Sequence, residues 1–511
     1  MIDRRTVLLS SMAAVAASLL PVDGEAKTKI KRTRYNVSSE KGQKMLAIYA
    51  RAVNKMKTLS DQDPLSWTFQ WFIHAAPTDK AVVINEVYGN VPSKNRDLAL
   101  ASWWTCQPHS KGQPGDYFLP WHRLYVLQFE EIIRQVSGVA EFTLPYWDYT
   151  NPAQYSIPPQ FQKASMNDPK WAPLFVIDRN LDSSEDQTAD VNAGEPLNKY
   201  YPGDENPLVL PPMAGVPYSE FCDQLDDNLH GMVHVLTGNG ETNMGVVPWA
   251  AKDPVFWLHH CNIDRIWYNW SVLGGKNPSE TGGTNWQDIH FVFPTPQGTA
   301  QNPSFSSVAD IATLPYDYED LPEPPAKTSV PVAALAKPLL VAQVTPEAAA
   351  KVSTTQDGIA LGDQPITLPL APVVQQQAEA NSRLQATGGS AQRVVIILKN
   401  ITANENPGAL FKVYLEVKNT ADGQSVRRYA GVLNFFSLIK HGSHGGSDPH
   451  AGHAMAGDAS EDVTFDISRL VQSNAISADQ LAAASVTLVP VGKVKLGSAP
   501  QIKGGIEVQL R

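Results

Sequence analysis

In residues 38–57 the apolar side chains Met45, Ile48, Tyr49, Ala52, Val53 and Met56 recur every three or four positions, a spacing that predicts an amphipathic helix. Residues 120–136 predict another, with Pro120 in its first turn and Leu124, Leu127, Phe129, Ile132 and Ile133 as its apolar surface. Shorter helices fit residues 218–236 and 253–270. Between them, residues 145–217 are rich in Pro, Asn, Asp and Gly and read as long loops. The N-terminal part is therefore expected to be mainly α with an irregular periphery.

The pattern changes after Tyr318. A Pro-, Ala- and Lys-containing stretch, residues 321–346, has the composition of an extended linker. Beyond it come short runs that alternate as strands do: 366–370, 393–398, 410–417, 431–439, 463–467, 485–491 and 505–510. These predict an all-β, sandwich-like C-terminal domain. The expected division is a leader at 1–26, a helical domain at 27–320, a linker at 321–346 and the β domain at 347–511. A length of 511 residues also exceeds what one hydrophobic core usually supports.

Composition narrows the function. A net charge of -10 and the lack of a basic, aromatic-interleaved patch argue against nucleic-acid binding. Cys106, Cys222 and Cys261 form neither a disulfide framework nor the paired spacing of a structural zinc site. Arg4-Arg5 followed by an apolar, Ala-rich stretch to Leu20 and small residues near Ala26 reads as a twin-arginine export signal. A periplasmic or secreted protein without a stable membrane anchor after signal removal is expected, since that stretch is shorter than the ~20 residues that span a bilayer.

The histidines are clustered. His230 and His234 stand four apart on a predicted helix, which puts two imidazoles on one face. Asp253-Pro-Val-Phe-Trp-Leu-His-His-Cys-Asn-Ile-Asp264 sets His259 and His260 just inside a capped helix start, with Asp264 four residues beyond, in reach of a helix turn or an imidazole. Phe118-Leu-Pro-Trp-His122-Arg surrounds a further histidine with aromatics. Imidazole donors unaccompanied by a Cys or Glu ligand suit copper better than structural zinc or a zinc hydrolase.

Both segments resemble the copper signatures of tyrosinases, catechol oxidases and molluscan hemocyanins: FLPWHR at Phe118 to Arg123, and DPxFWxHHxxxD at Asp253 to Asp264. The resemblance runs through most of residues 34–318, including Arg34 and Tyr316-Asp-Tyr318, which look like the Arg and YxY elements that close that family's catalytic domain. It implies a four-helix-bundle core holding two copper ions, the first on His74, His109 and His122 and the second on His230, His234 and His260. His259, turned by about 100° on the helix, would serve as a second-layer or substrate-facing residue. Cys106 resembles the cysteine that forms a thioether to a copper histidine in many relatives, with a buried free thiol as the alternative. His109 and His122 are separated by more residues than is usual there.

The implied reaction is oxidation of o-diphenols, and of monophenols by ortho-hydroxylation, to o-quinones with O2. Asp226, with Glu220 as fallback, occupies the position of the carboxylate that orders a basic water in relatives. Gly231 and Val235 follow the two histidines of the HxxxH pair, and Val247 matches the gate residue; all three shape the phenol site. A hemocyanin-like oxygen carrier is the alternative, told apart by turnover. The Pro-rich connection and a C-terminal domain similar to that of plant and some bacterial polyphenol oxidases imply a latent precursor, with Phe435 or Phe436 over the coppers and a protease cutting near Lys327. His441, His444, His450 and His453 suggest a copper-collecting segment.

Overall fold

The computed structural model describes residues 31–108, 117–240, 243–278, 286–324, 338–344, 358–385, 393–418, 423–436, 461–474 and 476–511. The expected leader at 1–26, His109, Lys327 and the histidines between 441 and 453 lie outside the described residues.

The N-terminal part is helical: α1 (Glu40–Met56), α2 (Trp67–His74), α3 (Lys80–Tyr88), α4 (Lys94–Ser102), α5 (Phe118–Ser137), α6 (Tyr218–Gln224), α7 (Gly231–Thr237), α8 (Val247–Ala250) and α9 (Val255–Val272). Ser39 caps α1 through Gly42 N, and Gly138, at φ 72°, ends α5 in the left-handed conformation that glycine adopts at low cost. Residues 218–237 form one unbroken helical run, as expected, but not a uniform one. A π-helical turn, Leu225–His230, separates α6 from α7, and such turns shift the register of side chains along a helix, often at functional sites. Among the described residues no helix is long and apolar enough to cross a membrane.

A buried polar hub closes this part of the chain. Arg34 Nε and Nη2 each donate to Glu130 at 3.0 Å, and its Nη1 donates to Asp264 at 2.7 Å and to the Tyr318 hydroxyl at 2.9 Å. Asp264 also accepts from Arg123, Tyr316 and Tyr318. Arg34, Arg123 and Glu130 are fully buried, so every charge must be matched by a partner, and here each is. The hub clamps α5 to α9, the two helices that carry the signature histidines. Asp264 is thus spent on guanidinium and phenol groups rather than on an imidazole, a correction to one of the roles the sequence allowed.

The C-terminal part has two sheets. One runs Ser425–Leu433, Leu410–Lys418, Ser485–Val491, Ile366–Pro369; the larger runs Glu461–Asp466, Val394–Thr402, Gln501–Leu510, Leu339–Val344, Ala371–Pro372. Their inner faces share a core that includes Val413, Leu415, Ile396 and Val508. Three differences from expectation have physical reasons. Leu339–Val344, inside the stretch expected as linker, pairs with Gln501–Leu510 and has a burial pattern that fits a sheet. Short helices at Gln377–Gln385, Ser468–Ser473 and Ala478–Ala482 interrupt the all-β pattern. Of the strand expected at 431–439, residues 437–439 lie outside the described residues, and the strand present is Ser425–Leu433: as an edge strand it exposes its first residues and shows little apolar alternation. Asn434, Phe435 and Phe436 then leave the sheet.

Candidate metal centre

Five helical segments bring the histidines together. His74 ends α2, His122 lies in the first turns of α5, His230 closes the π-helical turn, His234 follows in α7, and His260 sits in α9. The metal-ligating atoms form two groups, His74, Cys106 and His122 in one and His230, His234, His259 and His260 in the other, each set of donor atoms within 4.8 Å of one another. All seven side chains are buried. The groups face each other: the His122 and His260 rings stack with centroids 4.3 Å apart and 9° between planes.

Local contacts orient the rings. His122 Nδ1 lies 2.8 Å from the Phe118 carbonyl and His234 Nδ1 2.8 Å from the Met244 carbonyl. A carbonyl can only accept, so both rings carry their proton on Nδ1 and present Nε2 inward. Asp226 Oδ1 stands 2.7 Å from His230 Nδ1, a close carboxylate–imidazole contact within one helical run. Burial first, and repulsion from His230 second, push His122 down to about 3; His234, His259 and His260 are lowered well below the ordinary histidine value for the same two kinds of reason. Neutral imidazoles are the form that binds a metal.

These residues fit copper. Among the described residues the Nε2 of His234 and both ring nitrogens of His260 have no hydrogen-bond partner although they are buried, a costly state that an ion relieves at the bare nitrogen of each ring. Neither donor group contains a carboxylate, and soft sulfur with imidazole favours copper over hard cations. Cys106 Sγ is 3.6 Å from His122 Nε2.

Above the histidines lies a recess of about 360 Å³ whose walls include Phe118, Asp226, Val247 and Phe436. Asp226 and Val247 both line this recess. Gly231 is buried beneath the β domain, Val235 is not part of the recess wall, and Glu220 is elsewhere: its carboxylate accepts from Arg511 at 2.7 Å and pairs with Arg393 at 2.9 Å, both in the β domain. Glu220 is an interdomain anchor and not the fallback base, because two guanidinium groups hold a carboxylate more firmly than a water would.

Among the described residues, the β domain reaches the recess through Phe436. The Phe436 ring lies flat on His234, centroids 4.0 Å apart and 16° between planes, and meets His230 edge-on at 5.6 Å. Phe435 points the other way, into the sheet core against Phe411. Asn434 Nδ2 donates to the Asp227 carbonyl at 2.6 Å, and its side-chain oxygen stands 2.7 Å from where a Cβ on Gly231 would be. Sequence reasoning missed Asn434; its trace was the glycine after His230, read there as shaping the phenol site.

Comparison with known proteins agrees with this geometry. Residues 64–273 match the common central domain of tyrosinase, and residues 348–503 match a domain of unknown function, DUF7868. A tyrosinase of Hahella sp. strain CCB-MM4 is 29% identical over 428 residues, 80% of this chain and 85% of that protein. A chloroplastic polyphenol oxidase of Malus domestica is 26% identical over 483 residues, 88% of this chain and 74% of the relative. In structure, latent apple tyrosinase superimposes with a TM-score of 0.55 at 20% identity, covering 94% of this chain and 97% of that one; latent aurone synthase from its natural source gives 0.59 at 20% identity, over 94% and 90%. At that identity the two superpositions show a shared fold of helical and β parts. With both copper signatures on facing helices and the central domain matched, the chain belongs to the tyrosinase and polyphenol oxidase family.

Proposed function

We propose that this chain oxidises phenolic compounds with O2 at a dinuclear copper centre and is held latent by its β domain. The observation that carries the reading is the pair of facing, buried donor groups with Phe436 stacked on one of them. His74 and His122, joined by His109, would hold the first copper; His230, His234 and His260 would hold the second. Bound there, two coppers supply the two-electron exchange between a phenol and O2. The chain's own residues do the rest. Backbone carbonyls fix ring orientation, Phe118 packs at 4.7 Å from both His122 and His230 and keeps water away, and small Val247 leaves room for a substituted ring.

O-diphenols are the proposed principal substrates. Hydroxylation of monophenols needs a carboxylate to take the phenolic proton, and of the two candidates only Asp226 lines the recess, where it already faces His230. Export by the twin-arginine route to the periplasm or beyond, supported by Arg4 and Arg5, and activation by a protease cutting near Lys327 belong to the same proposal. The test is turnover by copper-loaded chain on a panel of mono- and diphenols, before and after the cap is released. Quinone formation from catechols, with a much slower response to matched monophenols, is expected. Reversible oxygen binding without turnover in the uncapped protein would favour a carrier instead.

A further inference from the structure

The turn that ends at His230 has a hydrogen-bond pattern that its own sequence does not demand. Leu225-Asp-Asp-Asn-Leu-His230 contains neither Pro nor Gly, so nothing within it forbids an ordinary α-helix. In an α-helix the Gly231 N–H would donate to the Asp227 carbonyl, four residues back. It passes that carbonyl by and donates to those of Asp226 and Asn228. The Asp227 carbonyl accepts instead from Asn434 Nδ2 of the β domain, at 2.6 Å.

Asn434 is buried, and both ends of its amide are engaged. Its Oδ1 accepts from the Phe436 N–H at 3.1 Å. One side chain thus ties the backbone beside His230 to the backbone of the residue stacked on His234. Gly231 keeps the approach open, since a Cβ there would collide with Asn434. The β domain grips the same turn a second time: Asn228 Nδ2 donates to the Thr464 carbonyl, in the strand Glu461–Asp466, at 3.1 Å. Glu220, one helical stretch earlier, is held by Arg393 and Arg511. A π turn inside an α-helix is rare and marks a functional site more often than chance, and here its bypassed carbonyl is taken by the other domain.

We propose that Asn434 is a positioning residue for the second metal: by occupying the Asp227 carbonyl it keeps Leu225–His230 in the π register and so fixes where His230 stands. The proposal rests on the dicopper reading of the site and gives the β domain an action beyond covering the recess. A π turn closes over one residue more than an α turn, and successive α-helical residues are about 100° apart around the axis. Closing the turn would therefore carry Asp226 and His230, which both lie on it, round by a sizeable part of that angle relative to α6. Docking sets the geometry of the second donor group, and undocking frees it.

The direct test is the crystal structure of the metal-free, full-length Asn434→Ala chain. The Gly231 N–H is expected on the Asp227 carbonyl, residues 225–230 in α register, and the His230 ring moved from its present 4.5 Å centroid distance to His234. A π turn and a His230 ring unchanged in that structure overturn the proposal. Should Asn434→Ala fail to fold, Asn434→Asp, which keeps the acceptor for the Phe436 N–H and loses the donor to Asp227, is read in the same way. In solution, full-length chains that also carry His74→Ala, which disables the first site, are loaded with one equivalent of Cu(II). Adding Asn434→Ala should change the copper hyperfine splitting in the paramagnetic resonance spectrum and weaken retention against a chelator by about two- to tenfold, the worth of one hydrogen bond. Adding Phe436→Leu, which leaves Asn434 in place and an apolar side chain over His234, should change neither. No effect of Asn434→Ala, or an equal effect of Phe436→Leu, overturns the proposal in favour of a domain that acts by covering alone. An unaltered chain that takes up no pair of copper ions overturns the dicopper reading, and the register seen in the crystal still decides for or against Asn434.

Discussion

Replacing Phe436 by Ala should release latency without cutting the chain. The ring is 5% exposed, lies on His234 at 4.0 Å and touches His230 edge-on. Burying a phenylalanine stabilises by about 1.5–3 kcal/mol, and an aromatic pair adds about 0.5–1.5 kcal/mol. The docked state should then lose about 2–4 kcal/mol relative to the open one. At 1.4 kcal/mol per decade, the open fraction rises by roughly thirty-fold to several hundred-fold. The recess is also uncovered in molecules that stay docked, so the initial rate of catechol oxidation per bound copper should rise at least about tenfold. Phe435→Ala is the control, because that ring sits in the sheet core against Phe411: it should lower the melting temperature of the β domain in proportion to any gain in rate. A Phe436→Ala chain that is folded, fully loaded with copper and no faster than the parent would refute the reasoning.

Three further perturbations act on the same interface. Gly231→Asn places a side chain where Asn434 stands, an overpacking that costs about 1–3 kcal/mol; it should speed the full-length chain roughly five-fold to a hundred-fold in the catechol assay, and Asn434→Gly should cancel most of the gain. Glu220→Ala removes the carboxylate that Arg393 and Arg511 share, and losing one partner of a well-buried pair costs about 3–5 kcal/mol; as Arg393 keeps Asp466 and Arg511 is a quarter exposed the loss is smaller here, and limited proteolysis should detect the freed β domain. Acid should loosen the cap through Glu205: partial burial pushes its carboxyl up, but hydrogen bonds from Lys412 and Tyr414 and the Lys412 charge outweigh that and hold it below the ordinary range. A carboxyl depressed in the docked state supports docking fully above its free value of about 4.3 and ceases to as pH falls through the docked value. An acid pulse below about pH 4 should thus raise activity assayed at neutral pH, and Glu205→Gln should flatten that response.

The signature helices were legible because their constraints are local. Phe118 to Arg123 and Asp253 to Asp264 each fix a helix start and a histidine within a dozen residues. What escaped depends on partners far along the chain. Glu220 has the right spacing for a base, but the arginines that claim it stand at 393 and 511. Adjacent positions on α9 stand about 100° apart around the helix, yet the His259 and His260 rings both lie in the buried histidine group, centroids 4.9 Å apart. Phe435 and Phe436 are alike in sequence; their fates part only where the chain leaves an edge strand whose polar first half hid its extent.

The hub around Arg34 also sets a timetable for biosynthesis. Its hydrogen bond to Tyr318 spans 284 residues, so at about 5–20 residues per second a ribosome takes roughly 15–60 s to deliver the last member after the first. Until then α5 and α9 lack the clamp that sets their separation, and the imidazoles they carry have no fixed partner across the cleft. Phe436 is made 118 residues after Tyr318, a further 6–24 s or so at the same rates. Between those two moments the nascent protein holds a finished pocket with nothing over it, an interval in which an ion can enter by the face that the mature chain later closes.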